Sequence, residues 1–306
     1  MSAPLPKQSP SNVYVLLFMV TLSFACALIL SVLASVLKIP QEVAKELDRS
    51  QQLLIASKIF SHDGYFLMKN KEGEYIPAKY AEDGVLVPTG KDDLAADKEI
   101  LDVYRRRVRP YLVDEKGNLT TFEEAGINQE QYLAEFKETG YFTQPLKLIY
   151  EVLPNPKKGE SEEEEVPIAY VIPVNGYGLW GPIYGYIAIA PDGDTVIGIS
   201  WYEHGETPGL GANIADEPWQ KQFYQKKIFL PTSAGETNLK TAPIGITVVK
   251  GKVSEVLGTS LKTETAVDGM PGATLTGNGV TTAYQEVLDA YRPFFIKLNE
   301  KAKQQE

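Results

Sequence analysis

Residues 268–280 read Asp268-Gly269-Met270-Pro271-Gly272-Ala273-Thr274-Leu275-Thr276-Gly277-Asn278-Gly279-Val280 and carry the strongest local signal in the chain. Glycine permits turn conformations that a side chain forbids, and Pro271-Gly272 suits the two central positions of a type II turn. Apolar residues then recur at helical spacing from Val280 onward. The pattern predicts a turn followed by a helix over 280–292, with Thr274 and Thr276 just before it.

Two interpretations of this stretch follow from its position ahead of a helix. The first is a glycine-rich turn that caps the helix, with Thr276 or Asn278 as the capping residue. The second is an anion site, because the free N–H groups and the positive end of the dipole at a helix N-terminus favour a phosphate. The spacing alone leaves both open.

Near the N-terminus, residues 13–37 contain no charged side chain. At about 1.5 Å per residue they are long enough to span a hydrocarbon core of about 30 Å. A cleaved signal peptide is the alternative, but its apolar region is normally shorter and ends in a small-residue cleavage site. We therefore predict a retained single-span anchor. When only Lys and Arg are counted, the charges that flank the span favour a cytoplasmic location for the part of the chain that follows it.

Composition excludes several functions for the rest of the chain. A net charge of −10 argues against a nucleic-acid-binding module, which presents a basic face. The single cysteine, Cys26, lies in the predicted span, so this chain alone cannot ligate an iron–sulfur cluster. Two histidines, His62 and His204, make a dedicated transition-metal site improbable, and no Gly-x-Ser-x-Gly hydrolase motif occurs.

Hydrophobic periodicity predicts an α+β fold: a single N-terminal transmembrane helix followed by a mostly antiparallel sheet domain with flanking helices. The predicted helices cover 42–58, 92–108, 122–137, 216–227 and 280–292. The predicted strands cover 168–174, 183–190, 195–202 and 244–249. Short connections such as Pro191-Asp192-Gly193-Asp194 imply antiparallel hairpins. Residues 154–166 are rich in Pro, Lys and Glu and are predicted to form an exposed acidic loop.

Two further glycine-rich stretches precede the threonine motif. Gly176-Tyr177-Gly178-Leu179-Trp180-Gly181 matches the dinucleotide fingerprint literally, but a strand rather than a helix is predicted to follow it, so we reject nucleotide binding there. His204-Gly205-Glu206-Thr207-Pro208-Gly209-Leu210-Gly211 is predicted to be a strand end followed by a tight turn. Such a turn brings backbone close to a flat or anionic group.

These motifs resemble those of a known family. Asp-Gly-x-x-Gly-Ala-Thr at 268–274 is similar to the sequence at which a flavin transferase esterifies FMN to a threonine hydroxyl. The continuation through Val280, the Gly-x-Gly-Leu-Trp string and residues 204–211 resemble the NqrC subunit of the Na+-translocating NADH:quinone oxidoreductase. One residue departs from the family pattern: Pro271 stands where Ser or Thr usually precedes Gly-Ala.

The resemblance implies FMN bound covalently by a phosphoester to Thr274, in an FMN-binding domain over 167–306. It implies that Glu206 and Thr207 hydrogen-bond the ring edge, and that Leu210 covers the ring face. Leu179 and Trp180 would lie against the isoalloxazine, although Trp180 is equally well explained as a core tryptophan. The complete implied cofactor-binding set is Thr274, Asp268, Gly272, Ala273, Leu275, Thr276, Glu206, Thr207, Leu210, Gly211, Leu179 and Trp180.

The same resemblance implies a role and a location. The chain would be an electron-transfer subunit, not catalytic alone, of a Na+-pumping NADH:ubiquinone reductase in the bacterial inner membrane. Its partners would be subunits B, D and E, indirectly F and A, a flavin transferase and membrane lipid. The soluble domain would lie on the outer, periplasmic face, against the charge count. The RnfG subunit of the Rnf ferredoxin:NAD oxidoreductase, with the same covalent FMN, and a flavin-free assembly scaffold are the alternatives.

The predicted organisation divides the chain into five segments. These are a short N-terminal tail at 1–12, the transmembrane anchor at 13–37, a helical or mixed N-terminal part of the soluble domain at 38–153, the acidic loop at 154–166, and the FMN-binding domain at 167–306.

Overall fold

A computed structural model describes residues 11–81, 84–156, 166–232 and 237–304. The chain forms two compact units that divide after Leu47. Helix α1 runs from Asn12 to Ala56 and contributes to both units. Most of the predicted acidic loop, residues 157–165, lies outside the described residues.

The first unit is the apolar part of α1. Residues 12–38 contain an 18-residue window with a mean hydropathy of 2.6, and their length and composition suit a membrane span. Two hydroxyl groups in this stretch donate to carbonyls one turn earlier: Thr21 Oγ1 to Leu17 O at 2.8 Å and Ser35 Oγ to Ser31 O at 2.9 Å. Because these hydroxyls bond within the helix, they do not need water inside a hydrocarbon layer. The predicted anchor is therefore present as a helix of sufficient length.

The second unit is built on a six-stranded antiparallel sheet. Its strands are β4 Val108–Val113, β5 Leu119–Thr120, β6 Lys147–Val152, β7 Ala169–Tyr177, β8 Pro182–Ile189 and β9 Val196–Glu203, and their order in the sheet is β5-β4-β6-β7-β8-β9. Before it lies a three-stranded antiparallel sheet of β1 Phe66–Lys69, β2 Tyr75–Tyr80 and β3 Leu86–Pro88. A short parallel pair joins β10 Thr247–Val248 to β11 Ala266–Val267.

The remaining helices are α2 Asp97–Arg107, α3 Gln129–Glu135, α4 Glu217–Gln220, α5 Val253–Val256, α6 Thr274–Ala290 and α7 Arg292–Lys303. Helix α6 packs on β7 and β10. Tyr291, at the junction of α6 and α7, is fully buried and its hydroxyl donates to Leu148 O at 2.5 Å. The last two helices therefore pack on the large sheet next to its central strands.

Strand β9 shows how the two faces of the large sheet are covered. Ile199 and Trp201 belong to the hydrophobic core that contains Tyr284 of α6. The intervening residues face the end of α1: Ser200 Oγ donates to Gln52 O at 3.0 Å, and a methyl group on Gly198 would lie 2.6 Å from Ala56 O. Because alternate side chains of a strand point to opposite faces, cover on both sides explains why residues 196–201 are all buried.

The predicted α+β class and antiparallel sheet are confirmed. The strands predicted over 168–202 are present with small shifts, and the Pro191–Asp194 turn joins β8 to β9 as an antiparallel hairpin. Residues 176–181 form the end of β7 and the turn into β8, so a strand follows them and not a helix. The rejected dinucleotide fingerprint is therefore a hairpin turn.

Several predicted boundaries were wrong, and local backbone features explain them. The helix predicted over 122–137 is confined to α3, because Gly126 has φ +65° and Asn128 caps α3 by accepting the N–H of Gln131 at 2.9 Å. The helix predicted over 216–227 ends as a 3-10 turn at Phe223, and Gln225 has φ +62°. The strand predicted over 244–249 is reduced to β10. Helix α2 starts at Asp97 rather than at residue 92.

The helix predicted over 280–292 in fact begins at Thr274. Thr274 and Thr276 therefore lie inside its first turn, and Ala273 is the N-cap without a side-chain hydrogen bond, so neither Thr276 nor Asn278 is the cap. Gly277 and Gly279 lower helix propensity, which is why the pattern placed the start later. Their close packing against other elements explains why the fold retains glycine there.

Candidate functional site

The motif at 268–276 is a tight turn that leads directly into α6. The N–H of Ala273 donates to Met270 O at 3.1 Å, and Gly272 has φ +75°. Pro271 and Gly272 therefore occupy the central positions of the predicted type II turn. The turn holds Met270 and Ala273 in the core and leaves Thr274 exposed at the first residue of the helix.

The two threonines of the first turn have different environments. Thr274 is exposed, whereas Thr276 is 1% exposed. The Thr276 hydroxyl donates to Oε2 of Glu206. Thr274 is therefore the hydroxyl that solvent or an enzyme can reach, and Thr276 is a buried contact between α6 and another segment.

Glu206 joins three segments that are far apart in sequence. Its side chain is buried, at 5% exposure, and its Oε1 accepts the backbone N–H of Trp180 at 2.9 Å. Its own N–H donates to Nδ1 of His204 at 3.3 Å. Both carboxylate oxygens are thus engaged by protein groups: the hairpin between β7 and β8 on one side, and the first turn of α6 on the other.

Glycines let these segments approach the carboxylate. A methyl group on Gly178 would overlap Glu206 Oε1, and one on Gly211 would lie 2.5 Å from Oε2 and 2.6 Å from Thr276 Oγ1. Such separations are far below van der Waals contact, so a side chain at either position would displace the Glu206 carboxylate. The sequence motifs contain these glycines, but only the fold shows that they face the same carboxylate.

Exposed apolar side chains lie on the segments that meet at the first turn of α6. Trp180 is 68% exposed and donates its indole N–H to Thr207 Oγ1 at 3.0 Å, so it is not a core tryptophan. A methyl group on Gly272 would lie 2.9 Å from Cδ2 of Leu210, which places that side chain over the turn. Exposed large apolar side chains on these three segments are Tyr177, Leu179, Trp180, Leu210 and Leu275.

Asp268 holds the start of the motif in place. Its Oδ1 accepts the N–H of Val253 at 2.7 Å, its N–H donates to Gln222 Oε1 at 2.9 Å, and its carbonyl accepts the indole N–H of Trp219 at 2.9 Å. These contacts anchor the backbone before the turn. Sequence reasoning missed Gln222 and Trp219, which carry no motif of their own, and it did not assign Tyr177 to the site although this residue lies within the Gly176–Gly181 string.

Behind the site, α6 covers an aromatic cluster. Tyr284 packs edge-on to Trp201, with ring centroids 5.5 Å apart, and its ring centroid lies 5.6 Å from that of Phe223. Burial raises the pKa of Tyr284 well above its ordinary value. The helix that carries Thr274 therefore packs on a buried aromatic cluster.

Most of the predicted site residues meet around the first turn of α6. Thr274 and Leu275 project from that turn, and Ala273 is buried beneath it. The carboxylate of Asp268 instead binds the first residue of α5. The residues that form one contact network are Trp180, Glu206, Thr207, Leu210, Gly211, Gly272 and Thr276, and Leu179 is exposed next to Trp180.

Comparison with known proteins gives a consistent result. The FMN-binding domain family matches residues 178–289, a range that contains the hairpin, Glu206 and the threonine motif. The NqrC subunit of the Na(+)-translocating NADH-quinone reductase from Chlamydia caviae is 40% identical over 98% of this chain and 98% of its own length.

Two solved structures share the fold. The NqrC structure from Parabacteroides distasonis superposes with a TM-score of 0.50 over 85% of this chain and 96% of that one, at 23% identity. Shewanella oneidensis NqrC gives a TM-score of 0.52 over 84% of this chain and 99% of that one, also at 23% identity. The sequence identity to the Chlamydia protein extends over nearly the full length of both chains, and on that basis this chain belongs to the NqrC family of Na+-translocating NADH-quinone reductase subunits.

Proposed function

We propose that this chain is an electron-transfer subunit of a Na+-translocating NADH:quinone oxidoreductase and carries FMN on Thr274 through a phosphoester. The observation that carries the proposal is the placement of one exposed hydroxyl, Thr274, at the first residue of a 17-residue helix. The match of residues 178–289 to the FMN-binding domain family supports the identity of the group.

The N-terminal turn of α6 suits the phosphate of FMN. The first N–H groups of an α-helix have no intrahelical partner, and the positive end of the dipole stabilises a negative charge by about 0.3–1 kcal/mol. A phosphodiester on Thr274 keeps one negative charge at this position. The residues present therefore fit the phosphate end of the group.

The exposed apolar side chains suit the ring end. Trp180 and Leu179 project from the hairpin, while Leu210 and Leu275 flank the turn before α6. Isolated exposed apolar residues are common, but side chains from three segments that converge beside one reactive hydroxyl indicate a surface for a flat hydrophobic group. Thr207 provides a polar group next to Trp180 on this surface, and the buried Glu206 carboxylate supports the hairpin and the first turn of α6.

Formation of the linkage needs a separate enzyme, because a threonine hydroxyl does not attack a phosphoanhydride unaided. Thr274 Oγ forms the new O–P bond with the flavin-side phosphorus of FAD, the phosphoanhydride bond breaks, and AMP leaves. The hydroxyl proton passes to a base of the flavin transferase. No net oxidation or reduction occurs, and the protein gains the mass of FMN less one water.

When bound, the flavin supplies reversible electron transfer, and this chain supplies its position and surroundings. Covalent attachment through Thr274 prevents loss of the group in any redox state. Trp180 and Leu210 limit the access of water to one side of the surface. The helix N-terminus, through its dipole, sets the electrostatic environment of the phosphate end.

The test is co-expression of the full chain with a flavin transferase, followed by intact-mass measurement and fluorescence of the denatured band. We expect wild type and Thr282→Val to carry the added mass, and Thr274→Val to carry none. Thr282 is a matched control because it is an exposed threonine on the same helix. A wild-type mass equal to that of the bare polypeptide would support the flavin-free scaffold instead, and an added mass on Thr274→Val would refute the site.

Family membership further supports assembly with the other subunits, which we propose to be B, D and E directly, with Na+ transport a property of the whole complex. We also propose that the soluble domain lies on the periplasmic face, anchored in lipid by residues 12–38. A Cys26→Ser, Lys91→Cys chain places its only thiol at an exposed position of the second unit. A membrane-impermeant maleimide should label it in intact spheroplasts; labelling only after lysis would place the domain in the cytoplasm.

A further inference from the structure

We propose that Glu206 is a positioning residue for flavin attachment: it orders the first turn of α6 and the Trp180 hairpin before FMN is bound, and it acts through hydrogen bonds rather than through its charge. This inference rests on the proposed function, because it concerns the loading of Thr274. It assigns Glu206 a role different from contact with the flavin ring edge.

The carboxylate of Glu206 contacts two separate segments, one through each oxygen. One oxygen of the Glu206 carboxylate accepts the N–H of Trp180 at 2.9 Å, and the other accepts the hydroxyl of Thr276. Trp180 and Thr276 are separated by almost a hundred positions in the sequence and belong to different elements. A single side chain therefore ties together the two sides of the surface on which Thr274 projects.

The contact between Glu206 and Thr276 is buried. The Glu206 side chain is 5% exposed, and Thr276 is 1% exposed, so water does not easily replace either contact. A buried polar group left without its partner costs about 1–3 kcal/mol. Gly178 and Gly211 add to the enclosure, because a methyl group on either one would overlap a carboxylate oxygen. The cluster is consequently held in one arrangement in the chain without flavin.

Thr274 lies two residues before Thr276 in the same turn, so the contacts of Glu206 also affect the position of Thr274. The transferase must bring the Thr274 hydroxyl in line with a phosphorus atom, and a misplaced nucleophile loses rate steeply. Because Glu206 fixes Thr276, it also fixes the direction in which the exposed Thr274 side chain projects. Because it accepts the backbone N–H of Trp180, it also holds the hairpin that carries the indole, whose own N–H donates to Thr207 Oγ1.

Glutamine distinguishes hydrogen bonding from charge. In Glu206→Gln the amide oxygen can accept the Trp180 N–H, and the amide nitrogen can donate to the Thr276 hydroxyl oxygen. In Glu206→Ala both contacts are lost. Glu203→Ala is the matched control, because Glu203 is an exposed carboxylate on β9 that pairs with Lys137 at 2.6 Å, outside the cluster.

The experiment measures the initial rate at which full-length chain, purified without flavin, gains FMN from FAD and a flavin transferase, with thermal unfolding recorded for each variant. We expect Glu206→Ala to load about tenfold more slowly or worse, Glu206→Gln to recover to within a few-fold of wild type, and Glu203→Ala to match wild type. Equal rates for wild type and Glu206→Ala overturn the proposal. Low rates for both Glu206 variants also overturn it, since they would indicate a role for the charge.

A second pair keeps the test decisive if Glu206→Ala does not fold. Thr276→Val removes the hydroxyl that Glu206 accepts while keeping the side-chain shape, and Thr276→Ser retains the hydroxyl. We expect slow loading for Thr276→Val and recovery for Thr276→Ser; wild-type rates for folded Thr276→Val would refute the inference. If wild type itself does not load, the proposed function has failed rather than the role of Glu206.

Discussion

Thr274 and Thr276 stand two residues apart in the first turn of α6, yet their hydroxyls have opposite environments. Thr276 is buried against Glu206, and Thr274 is exposed. On a helix two residues differ in direction by more than half a turn, so one faces the protein when the other faces away. Under the proposed function the two threonines have separate roles: Thr276 fixes the turn, and Thr274 receives the flavin.

Pro271 stands where the resemblance led us to expect Ser or Thr, and the structure gives it a local role. It precedes Gly272 in a turn that is already closed by the hydrogen bond from Ala273 N–H to Met270 O. Its ring restricts the turn in the unfolded chain as well, which stabilises the fold. The presentation of Thr274 depends on the turn rather than on a hydroxyl at position 271.

We therefore predict that Pro271→Ser loads FMN at the wild-type rate and lowers the free energy of unfolding by about 0.4–1 kcal/mol. Loading is measured by intact mass during transferase treatment, and stability by urea unfolding of the detergent-solubilised chain. A rate several-fold above wild type would show that the transferase reads a hydroxyl at this position.

At the scale of elements, α6 approaches β7 unusually closely, and small residues make this possible. A methyl group on Gly279 would overlap the carbonyl oxygen of Tyr177, and one on Gly176 would lie 2.5 Å from Cβ of Ala283. The neighbour at Gly279 is backbone, which cannot move aside by a change of rotamer. The close approach brings the first turn of α6 beside the end of β7 and hence beside the Trp180 hairpin.

Gly279→Ala is expected to destabilise the protein by about 1–3 kcal/mol, although alanine favours helix over glycine by about 1 kcal/mol. The overpacking against Tyr177 outweighs the gain in helix propensity. Asn278→Ala is the matched control on the same turn, because Asn278 is exposed and its replacement changes stability by less than about 0.5 kcal/mol. Thermal unfolding of both variants decides the sign; a stabilised Gly279→Ala would refute the packing argument.

The sequence predictions are correct where the local sequence determines an element, and wrong where contacts with distant residues determine it. Strands β7, β8 and β9 were predicted because apolar β-branched residues and the 191–194 turn define them locally. Strands β2, β3 and β4 were missed, since Pro77, Pro88 and Pro110 weaken a strand pattern, and only sheet pairing stabilises them. The start of α6 was misplaced for a similar reason: its glycines are required by contacts with distant residues.

For the site as well, residues in local motifs were predicted, and contacts between distant elements were not. Motif resemblance identified Thr274, the 204–211 loop and the 178–180 string, all of which meet at the first turn of α6. The pairing of Glu206 with Thr276 was not predictable, because it depends on the crossing of elements that no local pattern encodes. Gln222 and Trp219, which hold the backbone of Asp268, were missed for the same reason.

At the scale of the whole molecule, buried tyrosines make stability sensitive to high pH. Burial raises the pKa of each of four tyrosines, Tyr150, Tyr186, Tyr284 and Tyr291, well above the ordinary value of 10.0. Below that value both the folded and unfolded chains keep these phenols protonated, so stability is unaffected. Above it only the unfolded chain ionises, and stability falls by about 1.4 kcal/mol per pH unit for each such group.

The prediction is a cooperative alkaline unfolding above about pH 10, in which tyrosinate absorbance and loss of circular dichroism coincide. Tyr284→Phe tests one contribution: the variant should lose less stability per pH unit on the alkaline side than wild type. A gradual tyrosinate titration that is complete while the circular dichroism is still native would contradict the assignment of these groups as buried.

The boundary between the two units predicts where the chain can be shortened. Residues 48–56 of α1 belong to the second unit, in which Leu53, Leu54 and Ala56 are almost completely buried. Gln52 O accepts the hydroxyl of Ser200 at 3.0 Å, and Gly198 packs against Ala56. This last part of α1 is therefore a core element of the sheet domain, although it is continuous in sequence with the apolar span.

A chain of residues 48–306 should consequently be soluble and should unfold at the same temperature as the second unit of the full chain, within a few degrees. A chain of residues 58–306 is the matched comparison: it loses Leu53 and Leu54, whose burial alone is worth at least about 4 kcal/mol, and it should aggregate or melt far lower. Circular dichroism melts of the two truncated chains separate these outcomes. Equal melting temperatures would show that residues 48–57 are only a linker, because a core element cannot be removed without loss of stability.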